Sequence, residues 1–267
     1  MANIVTVDDP GDPRLVEVAG LTDAQSRNRT EAEHGCFVVE GLRTLETAVH
    51  SSYELRLVLC AESKLDRVLD TVGGLDIDVH IGSLDLLEAV AGFPIHRGVV
   101  ASAARRPLPE VDAVVDGTRR VVVVEGLNDH ENLGALFRNA AGFGVDAVLI
   151  DPTTADPLYR RSVRVSLGHV LDVPWTRIGA LPDALAGLHD RGFETVALTP
   201  SGDVAMAAVA GAERLAWLVG AEGPGLTDET LGATTHRVAI PMAPGVDSLN
   251  AATAAAVAFA LDASAGG

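Results

Sequence analysis

The sequence predicts two α/β domains, the second built on a mostly parallel sheet, and three observations lead to this prediction. Short β-branched runs alternate with helix-length segments through the 267-residue chain. In the second half, several runs are continuously apolar, as expected of strands buried on both faces. A stretch that contains Pro107 and Pro109 interrupts the alternation at residues 104–117, which indicates a linker. We therefore expect domains at residues 1–103 and 118–267.

Strand and helix signals follow one another at short intervals in the first domain. After a polar, helical opening around residues 15–29, we predict a strand at 36–40, a helix at 42–49, a strand at 55–60, a helix at 65–69, a strand at 77–81, a helix at 84–90 and a strand at 98–101. Elements of this number and length form a compact α/β unit of about one hundred residues.

The second domain carries the stronger strand signals. We predict strands at 121–124, 147–150, 195–198, 215–219 and 238–240, separated by helix-length segments and followed by an alanine-rich helix at 249–261. The first of these strands consists entirely of valine, which suits a central position in a parallel sheet.

Charge argues against a nucleic-acid partner at first sight. The chain has 20 Lys and Arg residues against 37 Asp and Glu, a formal net charge of −17, and net negative charge repels phosphate at long range. Lys64 is the only lysine, however, and several arginines stand in close sets that could still bind phosphate locally. These sets are Arg27 with Arg29, Arg105 with Arg106, Arg119 with Arg120, and Arg160 with Arg161 and Arg164.

Other residue types exclude several classes of protein. No apolar stretch approaches the roughly 18 to 20 residues of a membrane helix, and the N-terminus lacks a basic start before an apolar run, so we expect a cytoplasmic protein with no membrane partner.

Cys36 and Cys60 lie in apolar strand segments without metal-ligand spacing, which predicts buried thiols. The histidines, among them His34, His80, His130 and His169, show no such spacing either, so no metal is expected. Trp175 and Trp217 are predicted core residues.

Ligands of parallel α/β sheets bind beyond the carboxyl ends of the strands, so the loops after those strands are the first places to search for a site. The loop after the first strand of the second domain leads into a helix for which Asn132 suits the N-cap, with Arg138 about two turns further on. The loop at Gly220 is glycine-rich, which lets backbone amides approach a ligand. The last loop passes through Ser248, a second candidate N-cap.

Together these loops resemble the three signature motifs of the SpoU-type (TrmH-like) RNA ribose methyltransferases of the SPOUT superfamily. The first motif is matched by Asn132, Gly134, Arg138, Ala140, Phe143 and Gly144, the second by Gly220, Glu222, Gly225 and Leu226, and the third by Ile240, Pro241, Met242, Ser248, Leu249 and Asn250. Segments 161–168, 37–41 and 96–100 also resemble the family. The chain departs from it at His130 and Glu131, where a proline is usual, and in the alanines after Asn250.

The resemblance implies a fold, a reaction and a set of partners. It implies a SPOUT domain whose C-terminal chain forms a trefoil knot, and a smaller, ribosomal-protein-like α/β domain that binds the substrate. It further implies S-adenosyl-L-methionine as methyl donor, a structured RNA as substrate, a ribose 2′-hydroxyl as acceptor, and a homodimer whose site is completed across the two-fold interface. The additional N-terminal domain favours ribosomal RNA, and a tRNA ribose methyltransferase remains an alternative.

Site residues follow from the same resemblance. Arg138 would steer the phosphate beside the target ribose and assist removal of the hydroxyl proton, with Asn132, Glu222, Ser248 and Asn250 orienting the reacting groups. The donor would contact Leu198, Thr199, Pro200, Ser201, Gly202, Gly220, Glu222, Gly223, Ile240, Met242, Leu249 and Asn250. Candidate contacts to RNA phosphates are Arg27, Arg29, Arg160, Arg161 and Arg164.

Two other classes of function compete with this one. A nucleotide-dependent dehydrogenase would need a GxGxxG motif in an early βαβ unit with an acidic residue about 20 positions later, and the chain has neither. A non-catalytic RNA-binding or ribosome-assembly protein could retain the SPOUT fold. The presence of Arg138, Glu222 and Asn250 argues against it.

Overall fold

The chain forms two units, each with its own sheet. The computed structural model describes residues 2–22, 24–95, 97–209, 211–246 and 248–265, without the side chains of 24–28 and 265. Unit 1 comprises Met1–Pro107 and Leu158–Asp172, and unit 2 comprises Leu108–Pro157 and Val173–Gly267.

Elements of the first 107 residues alternate as expected, with differences near the N-terminus. They are β1 (Asn3–Thr6), a 3₁₀ helix (Pro13–Val18), α1 (Ala24–His34), β2 (Cys36–Glu40), α2 (Leu42–His50), β3 (Leu55–Ala61), a 3₁₀ helix (Glu62–Lys64), α3 (Leu65–Val72), β4 (Asp78–Gly82), α4 (Leu84–Ala91) and β5 (Val99–Ala104). The helix predicted at 15–29 was wrong in extent, because a turn with Gly20 at φ 60° separates the 3₁₀ helix from α1. β1 went unpredicted because most of its residues are exposed and give no apolar alternation.

The remaining elements build unit 2, apart from one segment that belongs to unit 1. They are α5 (Val111–Val115), β6 (Arg120–Glu125), α6 (His130–Phe143), β7 (Ala147–Ile150), α7 (Arg160–Val165), a 3₁₀ helix (His169–Leu171), β8 (Trp175–Arg177), α8 (Leu181–His189), β9 (Glu194–Leu198), α9 (Met206–Val209), β10 (Leu215–Gly220), α10 (Asp228–Ala233), β11 (His236–Val238) and α11 (Ala251–Ala265).

Two expectations about domain organisation differ from the structure. Residues 104–117 are not a plain linker, because α5 lies within them and buries Val114 and Val115 in the core of unit 2. Leu158–Asp172 was expected in the second domain but groups with unit 1, where α7 packs on β2. The segment buries Val163 and Val170, and its Leu167 carbonyl accepts a hydrogen bond from Thr47 of α2 at 3.0 Å. Glu40 of β2 adds ion pairs with arginines of α7.

The two sheets differ in strand direction. Unit 1 has the order β1-β4-β3-β5-β2, with β5 antiparallel to both β3 and β2. Unit 2 has the order β11-β9-β10-β6-β7-β8, and all of its strand pairs are parallel. β6 is central, and Val121–Val124 are fully buried, as their continuous apolar run predicts. All carboxyl ends of this sheet therefore lie at one edge, where a ligand site is expected.

The predicted core residues lie in the interior. Trp217 is buried, and Trp175 packs edge-on against Phe137 with ring centroids 6.5 Å apart. Cys36 and Cys60 are free, buried thiols in the sheet of unit 1, which confirms the prediction for both. Burial raises the pKa of each thiol to about 11.

The thiols should be chemically silent while unit 1 is folded. With pKa values of about 11, few molecules carry a thiolate at about pH 8, and the thiolate is the nucleophile. We expect an aromatic disulfide reagent to label neither cysteine of the folded protein during the time in which it labels both in guanidinium chloride. Fast labelling of either one under folding conditions would contradict the burial of these side chains.

Candidate active site

A cavity of about 570 Å³ opens at the carboxyl edge of the sheet of unit 2. The ends of β9, β10 and β11 form its floor, and the loop after β10 and the start of α11 form its walls. Of the residues expected to contact the methyl donor, the lining contains Leu198, Thr199, Pro200, Gly220, Glu222, Gly223, Ile240, Met242, Leu249 and Asn250. Ser248 also lines it.

Ser201 and Gly202, both expected donor contacts, do not line the cavity. The hydroxyls of Ser201 and Thr199 lie 3.1 Å apart, so Ser201 shapes the turn after β9. Gly202 packs so tightly on the backbone of Val238 and Ala239 that any side chain would overlap with it. Both residues follow the lining residues Thr199 and Pro200 in the chain, and neither borders the cavity.

Close backbone packing explains the glycine at position 220. A Cβ on Gly220 would overlap with the backbone of Gly225 and Leu226, so a larger residue would push the turn open. The turn closes on itself, because the Gly225 amide donates to the Ala221 carbonyl at 3.0 Å. The loop thus presents backbone along one wall of the cavity.

Glu125, which the sequence analysis did not single out, fixes the far end of this loop. It lies opposite Gly220 in the register of β6 and β10. Its carboxylate accepts hydrogen bonds from the Thr227 amide at 3.0 Å, the Thr227 hydroxyl at 2.9 Å and the Thr230 hydroxyl at 2.8 Å. The sequence did contain a signal for this residue, because Glu125 directly follows a run of four valines.

Asn132 joins the two walls of the cavity, although it does not line the cavity itself. Its side-chain amide nitrogen donates to Oε1 of Glu222, and its Oδ1 accepts from Nδ2 of Asn250 at 2.7 Å. The sequence motifs therefore meet in one hydrogen-bonded group, with Asn132 in the middle.

Two N-cap expectations are wrong. The N-cap of α6 is Asp129, whose Oδ1 accepts from the amides of Glu131 at 2.7 Å and Asn132 at 2.9 Å. The last helix begins after Asn250, whose Oδ1 accepts from the Thr253 amide at 3.1 Å, and Ser248 precedes that turn. In the first case, capping by the aspartate leaves the Asn132 side chain free to bind elsewhere.

Arg138 lies two turns into α6, as expected, and its side chain is exposed. It does not line the cavity, and it makes no hydrogen bond or ion pair with the part of the chain that the structure describes. The neighbouring Asn139 packs α6 on α11 by donating to the Ala252 carbonyl at 2.8 Å. A rigid helix therefore presents an uncompensated cation to solvent.

Asp151, at the end of β7, is a second residue that the sequence analysis missed. It is buried and accepts hydrogen bonds from the Gly126 amide at 3.0 Å and from the hydroxyls of Thr153 and Thr154 at 2.5 Å. Burial alone would raise its pKa, but these hydrogen bonds to the carboxylate outweigh burial, and its pKa lies below the ordinary value. Arg177 holds the same loop by donating to the Asp151 carbonyl at 2.9 Å.

The arginines proposed for RNA contacts have different surroundings. Arg160 pairs with Glu40 at 2.5 Å and lies over the Phe93 ring at 4.3 Å, and Arg164 reaches the same carboxylate at 3.4 Å. Arg29 and Arg161 are exposed. The side chain of Arg27 lies outside the described residues.

Neither a metal centre nor a membrane span emerges from the described part of the chain. Its His, Cys, Asp and Glu side chains form no group of three that could hold a metal ion. None of its helices has the length and hydropathy required to cross a bilayer.

A parallel sheet whose strand-end loops enclose a cavity, with an Asn–Glu–Asn group at its rim, is the arrangement in which α/β proteins bind small molecules. The particular family follows from sequence comparison. The profile of the SpoU rRNA Methylase family matches residues 119–260, and the chain belongs to this RNA methyltransferase family. The resemblance seen in the motifs is thereby confirmed.

Individual relatives agree with the family assignment. An uncharacterised tRNA/rRNA methyltransferase of Mycobacterium tuberculosis is 44% identical over 262 residues, 96% of this chain and 91% of the relative. A 23S rRNA (guanosine-2′-O-)-methyltransferase of Bordetella pertussis is 33% identical over 183 residues, 67% of this chain and 75% of the relative. An AdoMet-bound rRNA methyltransferase of Sinorhizobium meliloti shares the fold, with a TM-score of 0.82, 20% identity and 97% coverage of both chains.

The pKa of Asp151 leads to a pH-dependent prediction. Because that pKa is lowered in the folded chain from 3.8, the carboxylate stabilises the fold fully above 3.8, and this contribution is lost as the pH falls through the lower, folded-state value. We expect Asp151→Asn to lower the free energy of unfolding by about 1 to 3 kcal/mol near neutral pH, and by less near about pH 3.5.

Urea unfolding at a series of pH values measures this difference. Asp203→Asn, at an exposed position outside the helices and strands, is the control and should be neutral. If the wild-type protein and Asp151→Asn unfold alike near neutral pH, the hydrogen bonds of Asp151 do not stabilise the loop.

Proposed function

We propose that this chain transfers a methyl group from S-adenosyl-L-methionine to a ribose 2′-hydroxyl of structured RNA, with ribosomal RNA favoured over transfer RNA. The observation that carries the proposal is the hydrogen-bonded group of Asn132, Glu222 and Asn250 at the rim of the cavity. It brings together one residue from each family motif. The relative named as a 23S rRNA 2′-O-methyltransferase supports the ribosomal substrate.

The residues of the cavity fit S-adenosyl-L-methionine. A volume of about 570 Å³ is within the usual range for a small ligand. Met242, Ile240 and Leu249 offer apolar walls for an adenine, and the turn at Gly220 offers backbone polar groups. Glu222 and Asp228 place carboxylates in the cavity, and its described lining contains no Lys or Arg, which suits a positively charged sulfonium. When bound, the donor supplies an activated methyl group.

Positioning is the main task of the protein side chains in this reaction. Asn132 would hold Glu222 and Asn250 in fixed orientation, which prepares the cavity rim before RNA arrives. Arg138 would bind the phosphate beside the target ribose and assist loss of the hydroxyl proton. Because an arginine remains protonated in water, the phosphate contact is the simpler of its two roles. Ser248 would complete the rim.

Four structural features belong to the same proposal. We place a trefoil knot in the C-terminal part of unit 2 and the RNA-substrate domain in unit 1. We expect a cytoplasmic homodimer in which Arg138 acts on the donor held by the partner subunit. That arrangement accounts for an exposed Arg138 which does not line the cavity of its own chain.

Donor binding is tested best by filling the cavity without distorting its walls. Gly220 is unsuitable because a side chain there would overlap with the turn. Ala254 lines the cavity from α11, where a larger residue keeps the helix. We expect Ala254→Phe to weaken S-adenosyl-L-methionine binding by roughly tenfold or more, about 1.4 kcal/mol, in a calorimetric titration.

Ala260→Phe is the matched control for this experiment. Ala260 is also partly buried on α11 but does not line the cavity, so this variant should bind the donor like the wild-type protein. A wild-type protein that binds no donor would exclude methyl transfer and favour the non-catalytic RNA-binding function.

Arg138 is expected to separate methyl transfer from donor binding. We predict that Arg138→Ala lowers methyl transfer to total RNA by on the order of 10²- to 10³-fold, as found when one charge-stabilising group is removed. Donor affinity should not change, because Arg138 does not line the cavity. Tritium transfer and calorimetry measure the two effects, and Arg14→Ala, at an exposed arginine paired with Asp12, is the control.

Co-expression of Arg138→Ala with Ala254→Phe tests the dimer. The donor is kept at a concentration too low to occupy the Ala254→Phe cavity. If Arg138 acts across the two-fold axis, each mixed dimer then has one intact site, and a random mixture regains about a quarter of the wild-type activity. An inactive mixture of proven heterodimers would show that Arg138 acts within its own chain.

A further inference from the structure

Four cations of unit 1 gather around the carboxyl end of β2, and we call Lys64, Arg97, Arg160 and Arg164 the basic patch. Arg160 and Arg164 share the carboxylate of Glu40, the last residue of β2. Lys64 and Arg97 lie against the two glycines that surround this strand end. Cations distant in sequence therefore lie around the same strand end.

Backbone geometry places Arg97 and Lys64 there. Gly41 follows Glu40 at φ 91°, and Cδ of Arg97 lies 2.9 Å from the point at which a Cβ of Gly41 would stand. Gly98 has φ 62°, and Cγ of Lys64 lies 3.3 Å from its equivalent point. The Gly41 amide donates to the Val99 carbonyl at 2.9 Å, which ties the two glycine turns together.

The charges of the patch do not cancel. Four cations face one buried carboxylate, Glu40, and two exposed carboxylates, Glu62 and Asp66, flank Lys64 in the sequence. Four positive charges against three negative ones leave a local surplus of one positive charge in a chain whose net charge is −17. Arg43, next along the chain, is balanced by Glu46 at 3.1 Å. Such a surplus is a binding surface for anions.

Exposure divides the patch into two roles. Arg97 is exposed, Lys64 is partly exposed, and neither makes a hydrogen bond or ion pair with the described residues. Arg160 is mostly buried, with 18% of its side chain accessible, and is held by Glu40 and the ring of Phe93. Arg164 lies between these extremes with 32% accessible.

We infer that the basic patch binds the phosphate backbone of the substrate RNA, through Arg97, Lys64 and Arg164, with Glu40 and Arg160 as positioning residues. This inference rests on the proposed function and assigns the RNA surface of unit 1 to one end of its sheet. A free guanidinium and a free ammonium beside a shared ion pair match a run of phosphates better than one compact anion. Arg160 thus positions the patch, and the direct contacts to phosphate are made by Arg97, Lys64 and Arg164.

Salt dependence of RNA binding tests this surface. Removal of one cation that binds a phosphate should reduce the slope of log affinity against log salt concentration by about 1. For Arg97→Gln we expect a slope smaller by about 1, and for Arg97→Gln with Lys64→Gln a slope smaller by about 2 and affinity lower by about tenfold, with end-labelled 23S ribosomal RNA in filter binding.

Arg14→Gln is the matched control. Arg14 is also exposed, but its charge is paired with the carboxylate of Asp12, so it contributes no surplus positive charge. It should change neither slope nor affinity. Calorimetric donor titration with each variant should give the wild-type value, since the cavity belongs to unit 2.

The outcomes separate this inference from the proposed function. A wild-type salt slope in the double variant, or an equally large reduction in Arg14→Gln, would overturn the patch. Methyl transfer by the wild-type protein in the same experiment would still support the proposed enzyme. A reduced slope in a protein that neither binds donor nor transfers methyl groups would support the patch and reject the enzyme. Failure of the wild-type protein to bind the RNA would overturn the patch.

Discussion

The site of unit 2 depends on one side-chain amide, that of Asn132. An amide has both a donor and an acceptor, and Asn132 uses the donor on Glu222 and the acceptor on Asn250. Aspartate at this position would bring a second negative charge next to the Glu222 carboxylate. Leucine would leave Glu222 and Asn250 without their hydrogen bonds to position 132. Because Asn250 also caps α11 through its Oδ1, the same interaction links the start of the last helix to the first motif. The amide thus couples the cavity walls to α6 and to the arginine that α6 presents.

Beneath this group, the carboxyl end of β6 serves as a common anchor. Glu125 holds the loop after β10 through Thr227 and Thr230, while the next residue, Gly126, is held by Asp151 from the loop after β7. Three neighbouring strands therefore fix one another's loops through the carboxyl groups of Glu125 and Asp151, each of which accepts several hydrogen bonds. Loops fixed in this way can present polar groups to a ligand without first losing much conformational freedom. Preorganisation of this kind matters for methyl transfer, because the main part of the barrier is the alignment of the donor methyl group with the acceptor oxygen.

Sequence patterns predicted the strands of unit 2 well, because a strand buried on both faces is apolar at every position, as in β6. Motif spacing also brought Glu222, Ser248 and Asn250 to one cavity. The N-caps were harder, since Asp129 and Asn132 are both good capping residues and only the exact helix start distinguishes them. The place of Leu158–Asp172 could not be predicted, because it depends on contacts with residues distant in sequence, such as Thr47 with Leu167 and Glu40 with the arginines of α7. Glu125 and Asp151 were missed for the same reason: their partners lie on other loops.

The acidity of the chain and an RNA substrate are compatible once charge is considered locally. At physiological salt, exposed charges more than about 8 Å apart are largely screened from one another, so a phosphate in contact with the protein responds to its nearest neighbours rather than to the total of −17. The basic patch retains its surplus because Glu40 is buried and already shared by two arginines. The remaining negative charge acts at longer range and disfavours polyanions that do not reach the patch. A protein with a net negative charge and a small positive surface therefore binds arbitrary RNA sites more weakly and discriminates better between sites on RNA.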